Sequence, residues 1–256
     1  MSSSNAYARS RGILAFASNT ASVDYEGIAQ LSLRLAQHHL QVPIKLVVPN
    51  TPTTWHNVRH DVDTEQLTQW NNFGRYSAFD HTPWDETIVI DADYLVLTNR
   101  LNCVWNSSHP LLLCRQNSFV RESGTSMVGL DPVWATVFYF RKNQQTEMFF
   151  DLVARVQANW NYYKSLYGLL NMPYRNDYAF AIAAQTLHGY AFPHSLCLPF
   201  GISTVEYPIT RMQVNSEWLV VRDDKSAVIL PRQDIHVMSK SWLGQHLETF
   251  VQEAMT

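Results

Sequence analysis

The chain offers little that would carry it into a membrane or out of a cell. No apolar run among its 256 residues approaches the length, about 18 residues, that a spanning helix needs. The opening "MSSSNAYARSRG" lacks the apolar centre of a secretion signal. A soluble, cytoplasmic protein is expected. Cysteine is scarce: Cys103, Cys114 and Cys197 are odd in number and widely spaced, with no C-x-x-C pair. That pattern indicates neither a disulfide framework nor a zinc cluster, and it suits a reducing compartment. A surplus of positive charge is also missing. Lys and Arg total 19 against 22 Asp and Glu, a formal charge of −3. The balance gives no overall basic footprint for nucleic acid, although a local patch could sit within it. Neither an internal repeat nor a low-complexity linker interrupts the chain.

What the chain has is apolar surface to bury. With 46% apolar and 16% charged residues it is globular rather than disordered, and it is long enough for one large α/β domain or two small ones. Trp, Tyr and Phe number 8, 12 and 12; such residues fill cores or line sugar-stacking clefts. "GILAFAS" (12–18) reads as a buried strand. In the segment after it, Ile28, Leu31 and Leu35 recur at helical spacing behind Asp24 and Glu26, which suit the positive end of a helix dipole. "PIKLVVP" reads as a second strand, so the order predicts a parallel βαβ unit with a right-handed crossover. Residues 51–63 read as polar loop, and 65–72 as a short helix that delivers Arg75. "TIVI", "PLLLCR" and "WATVFYFRK" are expected strands. Residues 145–170 read as one long helix, with Phe149, Leu152, Val153, Val156, Trp160, Tyr163 and Tyr167 along its apolar stripe. "NDYAFAIAAQTLHGY" is a further helix that Asn176 could cap and Gly189 could end. "WLVV", "AVILP" and "IHVMSK" are short strands.

The chemical question lies in "WDETIVIDADYLVLTN". Asp91 and Asp93 stand between two apolar runs. On extended backbone, residues i and i+2 share a face, so both carboxylates would project to one side around the small Ala92. Two close carboxylates repel and tend to hold a proton unless a cation sits between them. Oxygen donors suit Mg²⁺ or Mn²⁺, ions that keep positions open for phosphate oxygens. The carboxyl end of a parallel strand is also where open α/β sheets bind ligands. A bare D-x-D can equally mark a strand that ends in a turn.

"TPWDETIVIDADYLV" resembles the D-x-D segment of nucleotide-sugar glycosyltransferases of the GT-A fold, particularly the glycogenin-like retaining group. The resemblance implies a mixed, mostly parallel Rossmann-like sheet flanked by helices. It implies a single two-lobed domain over 1–256, with a nucleotide- and metal-binding half near 12–100 and a sugar and acceptor half near 101–242. "AFASNTASVDYEGIAQLSLRL" resembles the first strand and helix of the nucleotide pocket, which would place Ser18, Asn19, Asp24, Tyr25 and Ala92 beside the donor. Arg75 lies where such enzymes put a basic residue on the donor. "IHVMSKSW" resembles the C-terminal His-x-x-Gly-x-x-Lys-Pro-Trp segment, in which His236 would complete the metal site and Lys240 would bind diphosphate. The His–Lys spacing here is four rather than six, and "WATVFYFRK" replaces the usual Asn-Ser-Gly that contacts the donor sugar. The combination "TPWDETIVIDADYLV", "WATV", "NWNYY", "YRNDYA" and "HVMSK" resembles glycosyltransferase-like proteins of tailed bacteriophages, over residues from about Gly12 to Trp242.

Physical chemistry adds detail to each position. Imidazole is a good Mn²⁺ ligand and an unusual Mg²⁺ ligand, so His236 tilts the metal toward Mn²⁺. Tyr25 could stack on a nucleotide base, with Asp24 or Asn19 reading its edge, or could simply pack. Arg75 and Lys240 could offset diphosphate charge. Asp177, in "YRNDYA", could meet the sugar or acceptor hydroxyls, or could serve only the helix dipole. His60, Asp61 and Asp63 lack a flanking strand and are a poor second metal site. The expected activity is transfer of a hexosyl or pentosyl group from a nucleoside diphosphate sugar, UDP-sugar first, to a hydroxyl. The acceptor stays open between hydroxymethylated pyrimidine in viral DNA and a glycan or protein, and a viral source would place the protein in the host cytoplasm. The rivals are a non-catalytic nucleotide-sugar-binding or assembly protein of this fold and a metal-dependent phosphoesterase.

Overall fold

The computed structural model describes residues 9–48, 74–115, 130–131, 133–205 and 208–256. Strand β1 (Arg11–Phe16), helix α1 (Tyr25–Leu40) and strand β2 (Ile44–Val47) form the expected unit, with β1 and β2 parallel. On its other edge β1 pairs in parallel with β3 (Glu86–Ile90), which follows the short helix α2 (Ala78–His81). Gly12 allows this edge to be covered by Trp84, since a Cβ there would stand 2.2 Å from the indole ring. Every residue of β3 is buried, which is why it lacks a polar–apolar alternation; its one charged residue, Glu86, pairs with Arg11 and Arg141. Beyond it come β6 (Val133–Arg141) and β5 (Leu111–Arg115), both antiparallel to their neighbours, for a sheet order β2-β1-β3-β6-β5.

Much of the aromatic content is core. Phe138 and Phe140 of β6 interlock with Phe149 and Phe150 of α3 (Gln144–Ala158) and Phe180 of α5 (Asn176–Leu187). Ring centroids stand 4.9 Å apart for Phe138–Phe180 and 5.3 Å for Phe149–Phe180, edge to face. The long helix expected over 145–170 is two helices. It breaks at Asn159 (φ −123, ψ 36), and α4 (Trp160–Leu166) follows. The Asn159 amide donates to the Arg155 carbonyl at 2.9 Å, a local bond that competes with the helical ladder. The break turns Trp160 inward to stack on Tyr178 and donate to the Met172 carbonyl. Asn176 does not cap α5. It is the first helical residue, buried, and accepts from the Tyr174 hydroxyl, while Arg175 holds the cap position. Gly189 follows the end of α5 at φ +68, as expected.

The C-terminal part departs most from the sequence reading. The strand in "IHVMSK" is only β11 (Ile235–Val237), and an unforeseen helix α6 (Lys240–Ala254) follows at once. Trp242, Leu247 and Phe250 of α6 join Ile28 and Leu35 of α1 in one apolar cluster. Strand β11 lies between β4 (Tyr94–Leu95) and β7 (Ser203–Val205), antiparallel to the first and parallel to the second. Strands β8 (Arg211–Val214), β9 (Trp218–Arg222) and β10 (Ala227–Pro231) form a separate antiparallel meander. The loop expected over 51–63 and the helix over 65–72 lie outside the described residues. No helix among the described residues is long and apolar enough to cross a membrane.

Arg232 ties these parts together. It donates to the carbonyls of Leu97 and Ala254 and lies 3.5 Å from the His39 ring of α1. Burial, with Arg232 and His38 beside it, pushes the His39 pKa down to about 4. A histidine held neutral in the fold but free to protonate near pH 6.5 when unfolded contributes stability above that value, lost as pH falls toward the folded pKa. His39→Gln should therefore flatten the decline in melting temperature between about pH 6.5 and about pH 4. An unchanged slope in paired thermal melts would show that another group governs acid lability.

Candidate metal centre

The chain leaves β3 at Ile90 and turns. Asp91 N–H donates to the Thr136 carbonyl at 2.8 Å, and Tyr94 N–H reaches back to the Asp91 carbonyl at 3.1 Å. Asp91 and Asp93 thus lie in a turn between β3 and β4, not along an extended strand. The shared-face argument does not describe them; the turn itself brings their carboxylates together. Three outside contacts hold it. Ser32 Oγ of α1 donates to the Ala92 carbonyl at 2.6 Å, Val237 N–H donates to the Asp93 carbonyl at 2.9 Å, and His236 sits opposite Tyr94 in the β4–β11 ladder. One donor atom each from Asp91, Asp93 and His236 then fall within 4.8 Å of one another.

The group is charged and mostly enclosed. His236 Nε2 lies 3.3 Å from Asp93 Oδ1, Lys240 Nζ pairs with Asp93 Oδ2, and Arg75 pairs with Asp91 Oδ1. Burial opposes the Asp93 charge, but His236 and Lys240 outweigh it and hold the carboxyl well below the usual range. Burial, with Asp93 adding to it, pushes Asp91 upward against the pull of Arg75. Burial disfavours the His236 imidazolium, yet Asp93 more than offsets that and raises its pKa. Trp134 sets its ring edge to face with His236 at 5.4 Å. His236 Nδ1 is buried and has no hydrogen-bond partner among the described residues.

Arg75 reaches the site because two local features place it. Gly74 precedes it at φ +78, and a Cβ there would stand 2.1 Å from the Phe16 ring, so glycine suits both the backbone and the space. The register between β5 and β6 also shifts, so that Leu113 faces Phe138 while Cys114 faces Trp134. Residues 135–137 are left without partners on β5. Side chains take up the freed backbone of Ala135: Asp177 Oδ1 accepts its N–H at 2.7 Å, and Arg75 Nη1 donates to its carbonyl at 3.0 Å. Asp177, expected either to meet sugar or acceptor hydroxyls or to serve the helix dipole, accepts in this structure from the bulge whose carbonyl holds Arg75. Asp177→Asn can keep that bond through its amide oxygen, whereas Asp177→Ala loses it and strands a partly buried N–H, at about 1–3 kcal/mol. Melting temperatures of the two variants should separate accordingly. Equal destabilisation by both would mean that the charge, not the bond to Ala135, matters.

The proposed nucleotide-side residues are distributed unevenly. Tyr25 joins the site: its ring centroid is 5.8 Å from Lys240 Nζ, and burial, with Asp93 behind it, raises its pKa despite Lys240. Ser18 is buried just past the end of β1. Asn19 and Asp24 serve α1, with Asn19 Oδ1 accepting Glu26 N–H at 2.9 Å and Asp24 Oδ1 accepting Gly27 N–H at 3.0 Å. His60, Asp61 and Asp63 lie outside the described residues. Sequence reasoning missed Ser32, Trp134 and Thr136. The "WATV" segment was visible as a motif, but nothing in it signalled a bulge.

No protein-family model matches the sequence, and no curated protein matches it. Solved structures are similar to it. The galactosyltransferase LgtC, determined with donor and acceptor sugar analogues, is 14% identical over 95% of each chain with a TM-score of 0.52. The glycosyltransferase GlyE of Streptococcus pneumoniae TIGR4 is 12% identical, with 70% of this chain matching 44% of that one at a TM-score of 0.41. A glycosyltransferase involved in glycosylation of the major capsid of PBCV-1 is 11% identical, with 65% of this chain matching 80% of that one at 0.38. This chain thus spans under half the length of GlyE and nearly all of LgtC. At such identities the likeness concerns the fold: a central mixed sheet flanked by helices, as in GT-A glycosyltransferases.

Proposed function

We propose that the chain is a metal-dependent glycosyltransferase that transfers a hexosyl or pentosyl group from a nucleoside diphosphate sugar, UDP-sugar first, to a hydroxyl. The observation that carries this is the Asp91–Asp93–His236 group, with donor atoms within 4.8 Å, at the carboxyl end of a parallel strand and with two protein cations on it. The donor set fits a divalent ion: two carboxylates and one imidazole match Mn²⁺ better than Mg²⁺. When bound there, the ion would supply Lewis-acid stabilisation of the diphosphate.

The chain's own residues supply the rest. Asp91, Asp93 and His236 hold the ion. Lys240 and the first turn of α6, to which the cap residue Ser239 makes no side-chain hydrogen bond, favour the negative diphosphate. Arg75, fixed by Ala135, offsets charge that grows on the leaving group. Tyr25 stacks on the base, with Ser18, Asn19, Asp24 and the Ala92 backbone around the nucleotide. Asp177, whose Oδ1 accepts the Ala135 N–H near Arg75, meets hydroxyls of the sugar or the acceptor. On this reading residues near 12–100 bind nucleotide and metal, those near 101–242 take sugar and acceptor, and the C-terminal segment closes the metal site. The phage-like segments make hydroxymethylated viral DNA one acceptor to test, beside glycans and proteins, and would place the enzyme in the host cytoplasm. Incubation with a panel of nucleotide sugars and Mn²⁺, with and without hydroxymethylated DNA, should yield free nucleoside diphosphate and a glycosylated product by mass spectrometry. Donor binding with no sugar release across the panel would favour the non-catalytic binder.

A further inference from the structure

We infer that Lys240 is a built-in competitor of the metal: it neutralises Asp93 until a divalent ion displaces it, and it then moves onto the diphosphate. The inference rests on the metal-dependent reading above and adds an order of events to it. Both oxygens of Asp93 are already engaged, Oδ1 by His236 Nε2 at 3.3 Å and Oδ2 by Lys240 Nζ. A divalent ion on either oxygen would stand close to the ammonium in a site where Asp93 is only 8% exposed, and like charges repel strongly where water is excluded. A protein cation must make room for the ion.

Lys240 is the one able to do so. Arg75, on the other carboxylate, is anchored by its second bond to the Ala135 carbonyl. Lys240 has a flexible stem, a side chain 27% exposed, and a position in the first turn of α6, where a positive charge is disfavoured by the helix dipole. The Tyr25 ring, 5.8 Å from Nζ, lies within its swing and can receive the ammonium by cation–π attraction. A nucleoside diphosphate offers a better partner still. Metal and nucleotide therefore bind as a coupled pair, because each relieves the charge that the other leaves exposed.

The test is Mn²⁺ binding without nucleotide, by calorimetry, for the wild type and Lys240→Met, which keeps the stem and removes the charge. The variant should bind Mn²⁺ about tenfold more tightly and, with Mn²⁺ saturating, bind UDP about tenfold more weakly. A lysine that only assists phosphate binding would leave the Mn²⁺ affinity unchanged, and that result overturns the inference. Wild-type protein gives a second readout: acetylation of Lys240, followed by mass spectrometry, should accelerate when Mn²⁺ is added and slow again with UDP. No change in labelling rate also overturns it. If neither protein binds Mn²⁺, the metal-dependent reading itself fails; equal Mn²⁺ binding by both removes only the role given to Lys240.

Discussion

Asp93→Asn is expected to lower donor turnover by roughly a thousandfold or more, the scale of several kcal/mol of transition-state stabilisation that a correctly held metal supplies. The residue engages His236 through one oxygen and Lys240 through the other. Its loss removes one of the three proposed metal ligands and also the counter-charge of two neighbours. Because the folded carboxyl is held well below its usual range, it contributes stability above the unfolded pKa of about 4, lost as pH falls through the folded value. The amide variant should therefore melt lower than wild type at neutral pH while keeping its far-ultraviolet spectrum. Turnover should be measured with excess Mn²⁺, on whichever donor the panel identifies. Wild-type turnover by this variant would remove Asp93 from the metal site.

Asp234→Ala should have the largest effect on stability, about 3–5 kcal/mol, or about 10 °C at roughly 2–4 °C per kcal/mol for a chain of this size. The Asp234 carboxylate is fully buried. Its Oδ1 accepts the N–H groups of Leu97 and Thr98 and the Thr98 hydroxyl, and its Oδ2 accepts Arg100 Nε at 3.1 Å. Alanine leaves two backbone donors and a guanidinium without their acceptor. Arg100, with its side chain 25% exposed, can recover some hydration, which points to the lower end of the range. The knot also fixes the start of β11, two residues before His236, so Mn²⁺ affinity should fall together with stability. Asp234→Asn keeps an acceptor for the N–H groups but turns an amide toward Arg100, and should fall between. Chemical denaturation of the three proteins decides it. A loss under about 1 kcal/mol for alanine would show that the backbone donors find other partners.

Local pattern determined a good deal. The runs expected at 12–18, 87–90 and 134–142 lie largely in buried strands, because short stretches rich in β-branched and apolar residues suit a pleated, buried surface. The spacing of Ile28, Leu31 and Leu35 sufficed for α1. Asp91 and Asp93 were legible as a pair in need of counter-charge, since two carboxylates beside a buried strand need a physical reason to be there. Their geometry was not legible. A one-dimensional reading put them on a strand face, whereas the bond from Tyr94 to the Asp91 carbonyl makes a turn.

Only the tertiary structure decided what surrounds them. Periodicity over 145–170 continues smoothly through Asn159, and only the competing bond to Arg155 shows the break. The bulge at 135–137 depends on a register shift between two strands, which neither strand encodes alone. Through it Asp177 became a support for Arg75. The start of α6 at Lys240, close behind β11, brings the lysine to Asp93, across 147 positions of sequence. Residue types thus announced a carboxylate pair that needs positive charge beside it, because charge and hydrogen-bonding capacity are properties of single side chains. Which cation rests on which carboxylate is a property of distance, and distance between remote segments exists only once the chain has folded.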